Sequence, residues 1–283
     1  MPPYVSSLPM PLPALRLVPL VCAALMLAAP HGAAACPDDE RPSPSLVMEQ
    51  GARALRGGEP LRILAIGSST TAGVGASSAQ TNFPSLIARR LTEEWGEGKV
   101  EVTNAGVSGE SAPSTVGRLE AFLSHPPVPH LVIWQVGTND VIFGGDPARL
   151  AQLVARGLDA IAASGSAALV IDQQFFPAIS DLARYEAFVA AVDSATSARG
   201  VPLLRRYRMM KQWAAQDPTG FRAALSWDRF HLSDAGYACL ADLITPAILA
   251  GVLVKEKPAP APAPTAKPGS ARPKDQEAIP AGR

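Results

Sequence analysis

Short apolar runs alternate with amphipathic stretches between about residues 61 and 254. The first run, Leu61-Arg62-Ile63-Leu64-Ala65-Ile66, reads as a strand. Phe83, Leu86, Ile87 and Leu91 then recur at helical spacing. A strand follows near Val100 to Val102, another at Leu131 to Val136, and then a helix that aligns Leu150, Val154, Leu158 and Ile161. Two further strands are predicted at Ala168 to Ile171 and Val201 to Leu204. The last large helix is expected from Asp234 to about Ile248, with Pro246 kinking or ending it. Strands alternating with helices predict an α/β fold, a five-stranded parallel sheet covered by helices on both faces. Its ligand crevice should lie at the carboxyl ends of the strands.

Both flanks break this pattern. Arg16 precedes an apolar run from Leu17 to Ala29, which is followed by Ala33-Ala34-Ala35 and Cys36, so residues 1–36 read as a secretory signal peptide. The run falls short of the about 20 apolar residues that a membrane anchor needs. Export to a periplasm or beyond is therefore expected. Ala33-Ala34-Ala35-Cys36 is also a loose lipoprotein processing site, with soluble release favoured over lipidation of Cys36; membrane contact is expected only with that lipid. Residues 37–58, rich in Pro, Gly and charge, are expected to be a flexible segment, and 59–254 to be the catalytic domain. Residues 255–283, which include the tract KPAPAPAPTAKP, are expected to be a disordered tail.

Composition narrows the function. Lysine plus arginine and aspartate plus glutamate number 25 each, and aromatic residues make up 6% of the chain, so neither a global field nor a stacking platform for nucleic acid is expected. A small substrate fits better. With Cys22 in the leader, Cys36 and Cys239 remain, and their positions suggest neither a disulfide framework nor a zinc site.

Four short motifs fall where the chain leaves its predicted strands. Gly67-Ser68-Ser69-Thr70-Thr71 follows the first and offers two adjacent serines in a turn that suits a nucleophile, although a plain serine-rich turn is the commoner use of such residues. In Asn104-Ala105-Gly106-Val107-Ser108-Gly109-Glu110-Ser111, Gly109 can bring a backbone N–H close to a substrate oxygen. Gly137-Thr138-Asn139-Asp140 offers the Asn139 carboxamide as a further donor, or simply an Asx turn. The fourth, Asp228-Arg229-Phe230-His231, carries the most weight: acyl transfer needs a base of near-neutral pKa and a carboxylate to orient it. Of the other histidines, His31 lies in the leader, and His125 and His130 flank a proline-rich connection.

Together, in this order, the four segments resemble the SGNH (GDSL-like) hydrolase family. The resemblance implies a flavodoxin-like three-layer α/β/α sandwich. It matches Ser69 to the nucleophile, Asp228 and His231 to the rest of the triad, and Ser69, Gly109 and Asn139 to the oxyanion hole. One departure is Ser68, which stands where the family most often has Asp. The implied activity is ester hydrolysis through an acyl-enzyme, with no metal or organic cofactor. The expected substrate is a small acyl ester or acylated glycan, with short-chain or O-acetyl groups favoured. Lysophospholipase or acyl-thioesterase activity is the enzymatic alternative, and a catalytically silent carbohydrate-binding scaffold is the non-enzymatic one.

Overall fold

The computed structural model describes residues 36–37 and 40–253. The leader-like stretch before Cys36 and the Pro/Ala tail lie outside the described residues. In chain order the elements are α1 (Glu49–Arg56), β1 (Leu61–Gly67), α2 (Ser69–Ala72), α3 (Phe83–Trp95), β2 (Val100–Gly106) and α4 (Ala112–Leu123). Next come β3 (Leu131–Gln135), α5 (Thr138–Ile142), α6 (Pro147–Ser164), β4 (Ala167–Ile171) and α7 (Leu182–Ser197). The last described elements are β5 (Leu203–Leu204), α8 (Arg206–Gln216), α9 (Pro218–Ala223) and α10 (Asp234–Leu253).

All strand pairs are parallel, in the order β2-β1-β3-β4-β5. Alternation along β1 splits the core in two. Leu61, Ile63 and Ala65 face a layer built from α3, α8 and α10, whereas Leu64 and Ile66 face α4, α6 and α7. This is the expected α/β/α sandwich. The strand order reverses at β1 and β3, and the crevice outside their carboxyl ends is where such sheets bind ligands.

Three segments differ from the sequence reading. β2 runs four residues beyond Val102 to Gly106; it is an edge strand in which only Ala105 is buried, so its polar residues concealed its length. α10 continues through Pro246 to Leu253 because its second half is wanted in the core: Ile248 is fully buried, and Gly251 packs against Leu46.

The largest departure lies in residues 37–58, expected to be flexible. Leu46 and Met48 are buried in the core, Ser43 forms an antiparallel bridge with Leu203, and the Met48 N–H donates to the Gly251 carbonyl at 3.0 Å. α1 then packs so closely on β1 that a Cβ on Gly51 would lie 2.6 Å from Leu61 Cδ1. Polar composition hid a few apolar anchors that pin the segment along the sheet and α10.

A second correction concerns the cysteines. Cys36 and Cys239 form a disulfide, with Cα atoms 5.2 Å apart and a sequence separation of 203 residues. The sequence reading found no such framework, because nothing local reveals that the N-terminal segment returns to α10. The same bond commits the Cys36 sulfur, which is then not available for a thioether lipid. Replacing Cys36 with Ser should cost roughly 2–4 kcal/mol of stability. A thermal melt should show this as a fall of about 5–15 °C in midpoint; an unchanged midpoint would mean that the bond does not contribute.

Candidate active site

Ser69 opens α2, directly after β1, and the turn that carries it is tightly boxed in. A Cβ on Gly106 would lie 2.0 Å from the Ala72 backbone nitrogen, so only glycine lets the end of β2 pass beneath α2. The two neighbouring serines point to different surroundings. Ser68 is buried and donates its hydroxyl to Gln135 Oε1 at 3.0 Å, and its backbone N–H reaches the same oxygen at 2.9 Å. At the position where Asp is usual, a neutral serine–amide pair thus holds the turn. Ser69 is only half-buried, and its Oγ lies 3.0 Å from His231 Nε2.

His231 is oriented from behind by Asp228, whose Oδ2 lies 2.6 Å from His231 Nδ1. The other carboxylate oxygen builds the loop: Asp228 Oδ1 accepts from the Ser226 hydroxyl at 2.7 Å and from the backbone N–H groups of Phe230 and His231 at 3.0 and 2.9 Å. Burial alone would raise the Asp228 pKa, but these bonds and the His231 ring outweigh it and hold the carboxyl well below the usual carboxylate range. The loop is closed by a bridge between Leu225 and Leu232. Phe230 packs edge-on against His231, with ring centroids 4.8 Å apart.

Asn139 and Gly109 come together indirectly. Asn139 lies in α5, after β3, and its Nδ2 donates to the Glu110 carbonyl at 2.8 Å. Asp140 accepts from the Ala112 N–H through both carboxylate oxygens, at 3.0 and 3.1 Å. These bonds fasten the loop containing Gly109 to α5. Asn139 keeps a second amide hydrogen for a ligand, and the first N–H of a helix, here that of Ser69, has no partner within its helix. Gly109 has φ +78°, in the left-handed region. Gly137 has φ +101°, and a Cβ there would lie 2.4 Å from Gln173 Nε2.

Several supporting residues escaped the sequence reading. Gln174, after β4, donates to the Phe230 carbonyl at 2.8 Å, and Thr70 Oγ1 lies 3.4 Å from its Oε1. Gln174 thus spans from the residue after Ser69 to the residue before His231. Arg206, wholly buried, donates to Thr70 Oγ1 at 3.2 Å and to the Asp172 carbonyl at 3.2 Å. Only Gln174 had a legible signal, as a polar residue just beyond the carboxyl end of a buried strand. The other two described histidines lie elsewhere: His130 is buried at the amino end of β3, and His125 is exposed in the connection before it. Among the described residues, no three His, Cys, Asp or Glu side chains gather as metal ligands would.

A doubly wound sheet whose switch-point crevice aligns Ser, His and Asp in one hydrogen-bonded chain defines the class of protein. The chain belongs to the non-GDSL lipase-like family, whose model matches residues 33–254. It is 27% identical over 225 residues to the GDSL-like esterase Rv1075c of Mycobacterium tuberculosis, covering 75% of this chain and 68% of that protein. To the esterase TesA of Pseudomonas aeruginosa it is 31% identical over 115 residues, covering 41% of this chain and 55% of that one. A crystal structure of TesA superposes with a TM-score of 0.57 at 25% identity, over 68% of this chain and 99% of the other. A two-domain esterase active on acetylated mannans superposes with a TM-score of 0.63 at 19% identity, over 80% of this chain and 60% of that one. These agree with the SGNH-type resemblance and the fold.

The lowered pKa of Asp228 makes this loop a pH-dependent element. A carboxyl whose folded pKa lies below its unfolded value contributes stability that is fully present above the unfolded pKa of about 3.9 and is lost as pH falls toward the folded pKa. Asp228→Asn should therefore lower the melting midpoint most at pH 6. The gap to wild type should narrow below about pH 4; a gap independent of pH would show that the Asp228 carboxylate is not selectively stabilised in the fold.

Proposed function

We propose that this protein is an exported serine esterase that cleaves carboxylic esters through an acyl-enzyme. The observation that carries this reading is the continuous chain from Asp228 through His231 to Ser69 Oγ, with legs of 2.6 and 3.0 Å. His231 Nε2 takes the Ser69 proton as Oγ attacks the ester carbonyl, and Asp228 stabilises the imidazolium that forms. The Ser69 and Gly109 backbone N–H groups and the free amide hydrogen of Asn139 hold the developing oxyanion. His231 returns the proton to the leaving alcohol, and water then repeats the attack on the acyl-serine with His231 again as base.

Export is supported by the leader-like sequence and by the Cys36–Cys239 disulfide, a bond that persists in oxidising compartments and is rare in reducing ones. The favoured substrates are short-chain acyl or O-acetyl esters, including those on glycans. Exposed aromatic surface near the site suits such a partner: Trp227, directly before Asp228, is 92% exposed, and Phe143, just after α5, is 66% exposed. A second reading, hydrolysis of longer acyl chains as in a lysophospholipase or thioesterase, is favoured by the apolar character of that same face, where Val74, Val107 and Ile142 are also exposed. A panel of 4-nitrophenyl esters of graded chain length, run beside acetylated sugars, separates the two readings: activity rising with acyl length selects the second.

The mechanism is tested by labelling with a fluorophosphonate. Peptide mapping should find the adduct on Ser69, and Ser69→Ala or His231→Ala should lower kcat about 10⁴-fold or more. Label on Ser68, or near-normal turnover in either folded variant, would overturn the assignment.

For the oxyanion site, Asn139→Ala should reduce kcat by roughly 10²- to 10³-fold, with a smaller change in KM. Steady-state kinetics on one soluble ester checks this, and an effect confined to KM would make Asn139 a ground-state contact.

A further inference from the structure

We propose that a groove beside the catalytic loop binds an anionic group, a carboxylate or a phosphate carried on an apolar segment of the ester substrate. The inference rests on the esterase reading above and specifies its substrate class. The groove is a cavity of about 630 Å³ whose wall includes Phe175, Phe221 and Leu225 and whose lining also contains Arg222 and Arg229. It adjoins the catalytic machinery through the chain itself. Arg229 lies between Asp228 and Phe230, and Phe175 follows Gln174, which bonds the Phe230 carbonyl.

The charge in this groove is unbalanced. Arg222 and Arg229 are both exposed, and neither makes an ion pair or a side-chain hydrogen bond among the described residues. By contrast Arg118, Arg156, Arg199, Arg205 and Arg208 each hold a carboxylate. No carboxylate lines the cavity. Two nearby acids are already occupied. Asp228 gives one oxygen to His231 and the other to three donors of its loop. Asp217 caps α9 through the Gly220 N–H at 2.9 Å.

The backbone adds a second observation. Arg229, with φ +56°, is the one non-glycine residue at positive φ among the described residues. That conformation is unfavourable for a residue with a Cβ, and the Asp228 bonds to the Phe230 and His231 N–H groups hold the turn in which it occurs. The guanidinium is thereby carried on an over-determined loop at the mouth of an apolar groove. Two guanidiniums without a carboxylate partner line one cavity, and their planar donor forks match carboxylate and phosphate oxygens. The aromatic and leucine wall takes the apolar segment that bears the anion.

The test compares ester pairs that differ only or chiefly in charge. 4-Acetoxybenzoate against its methyl ester puts the carboxylate on the alcohol side, and 4-acetoxyphenyl phosphate puts a phosphate there. Mono-(4-nitrophenyl) glutarate against 4-nitrophenyl pentanoate puts the carboxylate on the acyl side. The wild-type protein should favour at least one anionic ester about tenfold in kcat/KM, through KM, as one charge-assisted hydrogen bond provides. In Arg222→Gln or Arg229→Gln the anionic-to-neutral ratio, taken within each variant, should fall about tenfold. For wild type it should also shrink as salt rises from about 0.05 to 0.5 M.

Equal rates for the charged and neutral partners in wild type, or an undiminished ratio in both Arg222→Gln and Arg229→Gln, would overturn the proposal. If no ester is cleaved, the esterase reading fails, and the groove is judged by binding alone. 4-Butylbenzoate titrated into Ser69→Ala and followed by calorimetry should then bind in an arginine-dependent manner. No binding, or binding indifferent to both arginines, would overturn the groove assignment independently.

Discussion

The Asp228 carboxylate is the constraint on which the rest of the site depends. One oxygen aligns the His231 ring toward a serine 162 residues away in sequence, while the other gathers three donors from its own loop. A single side chain therefore sets both the rotation of the imidazole and the path of the backbone that carries it. The same loop holds Arg229 at positive φ, so base orientation and local backbone conformation are set together. With both oxygens fully used, the anion is the favoured form of the group, and its lowered pKa is the electrostatic expression of that bonding.

Behind the site, a buried polar framework holds the two ends of this chain in register. Arg206 and Asp172 lie wholly inside the protein. Arg206 reaches Thr70, next to Ser69, and Asp172 accepts the Tyr207 N–H at 2.9 Å. Burial pushes the Asp172 carboxyl up to about 7, and it pushes the Arg206 guanidinium down to about 10. Placing ionisable groups in such surroundings costs stability unless they are paired and hydrogen-bonded. What this arrangement provides is position: with Gln174, it ties the turn of Ser69 and the loop of His231 to the ends of the central strands.

The face outside those strands exposes several apolar side chains. Exposed Val74, Val107, Phe143 and Trp227 come from four different loops that follow strands or neighbour the catalytic loop, and Arg222 and Arg229 lie near the last of them. Loops carried on a rigid sheet are where surface chemistry varies most readily. In this chain those loops offer apolar surface together with uncompensated positive charge.

The order of strands and helices was legible in the sequence because burial imposes periods of about two and 3.6 residues. Three of the four candidate motifs stand at or directly after the ends of β1, β2 and β3, and the fourth, Asp228 to His231, lies in the loop between α9 and α10. Local pattern could not tell Ser68 from Ser69 without the family resemblance; in space, Ser68 turns inward to Gln135 while Ser69 faces His231. Nor could it show that residues 40–56 join the core, that Cys36 meets Cys239, or that Thr70, Gln174 and Arg206 brace the relay. Each of these depends on a partner from 34 to more than 200 residues away, or on one or two apolar anchors within a polar stretch. Short-range periodicity records which face of an element is buried, but only the folded chain decides which distant group it is buried against.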